Sequence, residues 1–284
     1  MAKKKSATQP VALSNYRKEF VSLLNQFSGY GYSRFNVFSD FLHLAAISIA
    51  NSCAEYNLVN KPETILEREE TYKRIIAKYK PELHDVFAKM LAAITMELTT
   101  YPPEHLTDVL GEIFHALDFQ DEWKAQCFTP QDLSDLMGRI QFNDAAKVQS
   151  LIDAKGYVTV NDSACGGGAL FLGAANGLQA LGFNPQKQML VVGNDLDERC
   201  VEMSFIQLSL YGIPAIILRQ NTLTLEIFDE PWITPMFILD GWIFKARKFF
   251  KGEPQVEVEP AKPTPPPVIE PQIEDLPLGQ LSLF

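Results

Sequence analysis

An excess of positive charge is missing from this chain: 25 Lys and Arg stand against 35 Asp and Glu, a formal net charge of −10 over 284 residues. That argues against a protein that wraps DNA through a uniformly basic surface, while leaving local patches open. Nothing approaches the run of about 20 apolar residues that a membrane span requires. Met1-Ala2-Lys3-Lys4-Lys5 is followed by no apolar stretch of the secretory kind, so no membrane and a cytoplasmic address are expected. The four cysteines, Cys53, Cys127, Cys165 and Cys200, lie far apart without a C-x-x-C pair. This disfavours a disulfide framework and a thiolate zinc site; no metal is expected, and the thiols should be reduced and mostly buried. What remains, 46% hydrophobic and 21% charged residues, is ordinary for a globular chain of one or two domains.

Two nucleotide-binding signatures are also lacking. No G-x-G-x-x-G dinucleotide spacing occurs, and no Lys-Ser/Thr pair follows a glycine-rich turn as in a P-loop. A different glycine turn is present: Asn161-Asp162-Ser163-Ala164-Cys165-Gly166-Gly167-Gly168 follows the apolar run Tyr157 to Val160 and precedes a helix-like stretch. Glycines there can take positive φ and approach a ligand closely, and the helix beyond offers unpaired N–H groups. Strand, turn and helix in this order cradle a nucleotide-like ligand.

The string resembles motif I of the adenine-N6 DNA methyltransferases related to type I modification subunits, with Ser163 in place of a Pro and Gly167 in place of a Ser. Cys127-Phe128-Thr129-Pro130 resembles that family's Phe-Phe-Thr-Pro motif, Asp108-Val109-Leu110-Gly111-Glu112 its preceding helix, and Gly193-Asn194-Asp195 its acidic motif after the second strand. The four segments stand in the family's order between about 104 and 225. The resemblance implies an α/β fold with an S-adenosylmethionine-dependent methyltransferase-like, Rossmann-like sheet. It also implies cofactor contacts from Phe128, Thr129, Pro130, Asp162, Ala164, Gly166, Gly168, Asp195 and Asn221. Asp195 would accept from the ribose hydroxyls, with Asp197 as its rival. Asp162 would face the methionine amino group, Thr129 the carboxylate, and the Asn221 amide oxygen the exocyclic amine of adenine.

Periodicity supplies the organisation. Residues 1–14 are expected to be a disordered basic N-terminus and 15–125 a helical region, with Phe35, Phe38, Phe41, Leu42, Ala45 and Ile49 repeating at three and four residues. Helices are predicted over 63–79, 81–98 and 105–117. Residues 126–250 read as the α/β domain: Thr129 as N-cap with Pro130 at the first helical position, strands at 158–161, 189–193 and 215–218, and helices at 169–181 and 198–211. A fourth strand is expected at Met236 to Leu239.

The resembled family needs an Asn/Asp-Pro-Pro-aromatic tetrapeptide after its fourth strand to grip the flipped base, and none exists here. Asp229-Glu230-Pro231-Trp232 is the nearest string, so Asp229, Pro231 and Trp232 are weak catalytic candidates against a plain surface turn. The sheet also looks truncated, with no sequence for its later strands or for a separate target-recognition domain; a completing subunit is one remedy. Lys245, Arg247, Lys248, Phe249 and Phe250 suit either phosphate and base contacts or, preferably, a terminal helix whose aromatics pack inward.

From 251 to 284 six acids face two lysines, and eight prolines lie beyond Gly252, the composition of an extended tether. Gln280-Leu281-Ser282-Leu283-Phe284 resembles the pentapeptide by which bacterial replication and repair proteins bind the sliding clamp. The resemblances together imply DNA and the clamp as partners, a nucleoid-associated place in the cytoplasm, and a role in DNA methylation or restriction-modification on a plasmid or phage. Two readings stay open: a DNA adenine-N6 methyltransferase, and a methyltransferase-like DNA- or cofactor-binding or anti-restriction protein without catalysis.

Overall fold

The computed structural model describes residues 14–98, 100, 105–117, 119 and 129–246. Five helices come first: α1 Asn15–Ser28, α2 Arg34–Asn51, α3 Pro62–Ile76, α4 His84–Leu98 and α5 Val109–Ala116. Helix α1 starts at Ser14, whose hydroxyl accepts from the Arg17 N–H at 3.2 Å. Its buried stripe, Phe20, Leu23, Leu24 and Phe27, follows the predicted helical period. Arg17 is buried with it and donates to Glu97 of α4 at 2.7 Å, while also pairing with Glu112 of α5. This ion pair is the polar pin in an otherwise aromatic core of Phe20, Phe38, Phe41, Phe27 and Phe87.

Helices α6 Gln131–Gln141 and α7 Ala145–Lys155 lead into the sheet, which alternates β1 Val158–Asp162, α8 Ala169–Ala180, α9 Pro185–Gln188, β2 Met189–Asp195, α10 Glu198–Leu210 and β3 Ala215–Asn221. The three strands are parallel in the order β1-β2-β3, Val160 opposite Val191 and Gly193 opposite Ile217. β2 is buried along almost its whole length, as a central parallel strand must be. Among the described residues β1 pairs only with β2. Two short strands, β4 Glu226–Ile227 and β5 Trp232–Ile233, run antiparallel to β3 on its outer side. The helical region and the sheet share one hydrophobic core, running from Phe20 to Trp232, and α2 packs directly on α10.

Helices α6 and α8 meet backbone to backbone. A Cβ placed on Gly138 would lie 1.9 Å from the Gly173 carbonyl oxygen, one on Gly173 2.1 Å from the Ser134 oxygen, and one on Gly177 2.4 Å from the Gly138 oxygen. Only glycine permits this approach. The opposite face of α6 exposes Leu133, Leu136, Met137 and Ile140.

Several boundaries differ from the sequence reading. Pro130, not Thr129, is the N-cap of α6, because its ψ of 146° is extended and the helix begins one residue later. The predicted strand at 236–239 is instead the helix α11 Pro235–Leu239: Thr234 ends β5 by donating to the Ile213 carbonyl, and Pro235 presets the first helical φ. A further turn, α12 Trp242–Lys245, buries Trp242 edge-on against Tyr157 while Phe244 stays exposed. Trp242 thus packs inward and Phe244 does not. Phe128, the basic and aromatic residues from Arg247 onward, and the terminal pentapeptide lie outside the described residues. Among the described residues no helix is long and apolar enough to cross a membrane.

Candidate functional site

The C-terminal ends of β1, β2 and β3 converge on the glycine turn, the rim where open parallel sheets bind ligands. Gly166 and Gly168 take φ of 53° and 93°, the left-handed region that a side chain disfavours, whereas Gly167 does not. At Gly168, the N-cap of α8, a Cβ would also sit 2.6 Å from the Ser204 hydroxyl oxygen. The turn is tied to its neighbours on both sides. Cys165 N–H donates to the Asn194 carbonyl at 2.9 Å, and the Thr222 hydroxyl donates to the Ser163 carbonyl at 3.2 Å.

Asp195 is the hub of the rim. One carboxylate oxygen accepts from the Gly166 N–H and the other from the Asp197 N–H, each at 2.9 Å. Asp197, its rival in the sequence, is committed elsewhere: it caps α10 through Arg199 N–H and pairs with the Arg199 guanidinium at 2.7 Å. Asp162 accepts from Ala164 N–H through one carboxylate oxygen, closing a tight turn at the end of β1. The Asn221 side-chain oxygen receives the N–H groups of Leu223 and Thr224. That differs from its expected use as acceptor for an adenine amine, because the oxygen already caps the loop after β3. Thr129 and Pro130 lie at the start of α6, which the glycine contacts hold against α8 beyond the turn.

Of the support behind the turn, the sequence marked Asp108 only as the start of the resembled helix and gave no hint of Gln207. Gln207, fully buried on α10, donates to the Gly167 carbonyl at 2.9 Å and to Asp108 at 2.8 Å, and accepts from Leu110 N–H. Asp108 in turn caps α5 through Gly111 N–H. Burial raises the Asp108 carboxyl above the usual range, outweighing the two hydrogen bonds that favour its charged form. Burial likewise pushes the Cys165 and Cys200 thiols far up, so both are unreactive neutral groups, as expected of core cysteines. A Gln in a helix carries no marked signal until the fold shows what it touches.

The weak catalytic candidates are not beside this turn. Asp229, Pro231 and Trp232 belong to the β4–β5 segment outside β3, so β2 and β3 separate them from β1. Trp232 is buried beneath the Arg68 guanidinium, 4.0 Å from its ring centre, and beside Phe205. The Pro231 carbonyl receives Asn60 and Arg68, and Asp229 pairs with Arg219 at 3.1 Å. The Pro231 carbonyl thus has both lone pairs engaged, while Asp229 stands in a half-exposed ion pair through one of its oxygens. The segment lines a separate cavity of about 780 Å³ with residues of α2, α3 and α10, among them His43, Arg68, Glu198 and Glu202.

A parallel β-α-β-α-β unit that brings a glycine turn and an acidic residue to one rim makes this an α/β protein. Residues 106–237 match the model of the N-6 DNA methylase family, a stretch that takes in Asp108, the glycine turn, Asp195 and Asn221. No curated protein and no solved structure matches the chain.

Proposed function

We propose that this chain is an S-adenosylmethionine-dependent DNA adenine-N6 methyltransferase-like protein. The observation that carries the reading is the Asp195 carboxylate bound to Gly166 N–H within the stretch that matches the N-6 DNA methylase family. The donor set suits the cofactor. Each Asp195 oxygen accepts one N–H and keeps a lone pair for a ribose hydroxyl, while Gly166 and Gly168 present backbone without side chains. Bound S-adenosylmethionine supplies an activated methyl group on a sulfonium. The chain's part is to hold and orient: Asp195 the ribose, the second oxygen of Asp162 the amino group, and the turn the amino-acid moiety. At Asn221 the amide nitrogen is the group left to face the adenine ring, as a donor.

A second reading, a methyltransferase-like binding protein without catalysis, is favoured by two observations. The base-gripping tetrapeptide is absent, and in the sheet two strands stand between the string nearest to it and β1, which leads into the turn. Among the described residues the outer edge of β1 is unpaired, and a completing subunit would add its strand there. In either reading Gln280 to Phe284 serves as a sliding-clamp contact, placing the protein on replicating DNA.

Calorimetric titration of S-adenosylmethionine separates cofactor binding from its absence. Wild type should bind, and Asp195→Ala, losing two charge-assisted bonds worth about 1.5 kcal/mol or more each, should bind roughly a hundredfold more weakly. No heat from wild type at millimolar ligand rejects the cofactor reading. Tritiated methyl transfer to unmethylated DNA, with and without a candidate subunit, then divides the enzyme from the binder.

A further inference from the structure

The cavity outside β3 holds a cluster that the methyltransferase reading does not use. His43 projects from α2, while Glu198 and Glu202 lie one turn apart on α10 and therefore share a face. One ligand atom from each of the three lies within 4.8 Å of the other two. Glu202 is completely buried. One of its oxygens meets His43 Nδ1; the other, Oε2, has no hydrogen-bond partner. A carboxylate oxygen out of water with nothing to accept from is unfavourable, and a cation answers the deficit.

The surroundings favour a cation as well. Glu67 adds negative charge to the lining, and so do Asp229 and Glu230, which pair at 3.1 Å with Arg219 and Lys61 respectively. Arg68, over the Trp232 ring and donating to the Pro231 carbonyl, is the one Lys or Arg among the described lining residues, and Arg219, 3.9 Å from Glu198, lies closer to Asp229 at 3.1 Å.

We propose that His43, Glu198 and Glu202 bind one divalent transition cation of the zinc type, with its remaining coordination position open to the 780 Å³ cavity. One imidazole nitrogen with two carboxylates suits zinc-like ions, whereas magnesium and calcium take oxygen ligands. Ligand bonds of about 2.1 Å place donor atoms at most about 4.2 Å apart, so the cluster closes slightly on binding. Glu198, half exposed in the first turn of α10, has room to make that adjustment. Three protein ligands and an open position is the pattern of reactive rather than purely structural zinc sites. The ion would also join α2 of the helical region to α10 of the sheet. The site does not depend on how the cofactor rim is read.

The test uses the full chain, stripped with a chelator and dialysed against Zn²⁺, with bound metal measured by mass spectrometry and Co²⁺ as a spectroscopic stand-in. Wild type should hold one equivalent and melt at a higher temperature with Zn²⁺. Glu202→Gln and Glu198→Gln should each weaken binding at least tenfold. Because Glu198 is half exposed, its variant should melt like metal-free wild type, which separates lost binding from lost folding. The Co²⁺ spectrum should show visible bands of nitrogen and oxygen ligation and no thiolate charge-transfer band. The proposal is overturned if stripped wild type takes up no stoichiometric metal, if the Gln variants bind as wild type does, or if the Co²⁺ spectrum reports a cysteine ligand.

Discussion

Replacing Gly138 by Ala sets two forces of opposite sign against each other. Helix propensity favours the change by about 0.5–1 kcal/mol, because Ala loses less backbone entropy than Gly. Packing opposes it: the new methyl would stand 1.9 Å from the Gly173 carbonyl oxygen and 2.4 Å from its carbon. An ordinary contact needs about 1.5 Å more, and neither atom belongs to a side chain that can rotate away. Helices α6 and α8 must separate, loosening the reciprocal contacts of Gly173 with Ser134 and of Gly177 with Gly138. Overpacking of this kind costs about 1–3 kcal/mol, and backbone against backbone belongs at the upper end. The net expectation is a loss of about 2 kcal/mol, a fall in Tm of about 4–8 °C for a chain of this size. Thermal unfolding followed by far-ultraviolet circular dichroism measures it. Gly173→Ala should behave alike, and the double variant should lose less than the sum, since both break one seam. A Tm that stays level or rises in Gly138→Ala would mean that propensity rules and the close contact does not exist.

Asp108→Ala removes an N-cap and strands Gln207, and should cost about 1–3 kcal/mol in urea unfolding, whereas Asp108→Asn keeps the accepting oxygen and should cost little. The pH dependence has a definite sign. A carboxyl raised on folding binds its proton more tightly in the native state, so wild type loses stability as pH rises from the ordinary carboxylate range through the raised value. The advantage of Asp108→Asn should therefore grow from about pH 4 upward and then level; a constant difference would deny the shift. Glu97→Ala removes the buried one of the two carboxylates that Arg17 pairs with, leaving Glu112, and should cost about 1.5–3 kcal/mol, while Arg17→Met with Glu97→Leu should recover most of that loss in the same assay. Gln207→Leu should weaken S-adenosylmethionine binding in calorimetry without touching the ligand, since the Gly167 carbonyl loses its donor; unchanged affinity would show the turn to be held adequately by Asp195 and Asn194.

The three parallel strands were legible because short apolar runs there are bounded by turn residues, and the glycine turn because its conformational demand is written in residue type. Residues 236–239 misled because an apolar run of four has no distinguishable period; Thr234 and Pro235 then decide for a helix. Helix α7 was not anticipated, for only Val148 and Ile152 of its length are buried. β4 and β5, two residues each, are too short to show alternation and exist by pairing with β3. In the rim, Asp162 and Asp195 could be named from their neighbours, but Gln207 and Asp108 act through contacts separated by 99 positions. The cluster of His43 with Glu198 and Glu202 is invisible to spacing for the same reason: more than 150 residues part the first from the others. The sequence expectation of no metal rested on cysteine spacing, which says nothing of a His and Glu cluster assembled by folding.

The glycine seam between α6 and α8 also acts as a ruler. One end of each helix adjoins a segment assigned to the ligand, Thr129-Pro130 before α6 and Gly166 to Gly168 before α8. The seam fixes their relative phase at Ser134 and Gly138 against Gly173 and Gly177. One residue inserted between Pro130 and Ser134 would turn α6 by about 100° and bring a side chain onto the Gly173 carbonyl. Chain length from Pro130 to Gly138, and from Gly168 to Gly177, is therefore under stricter constraint than the identity of most residues within it.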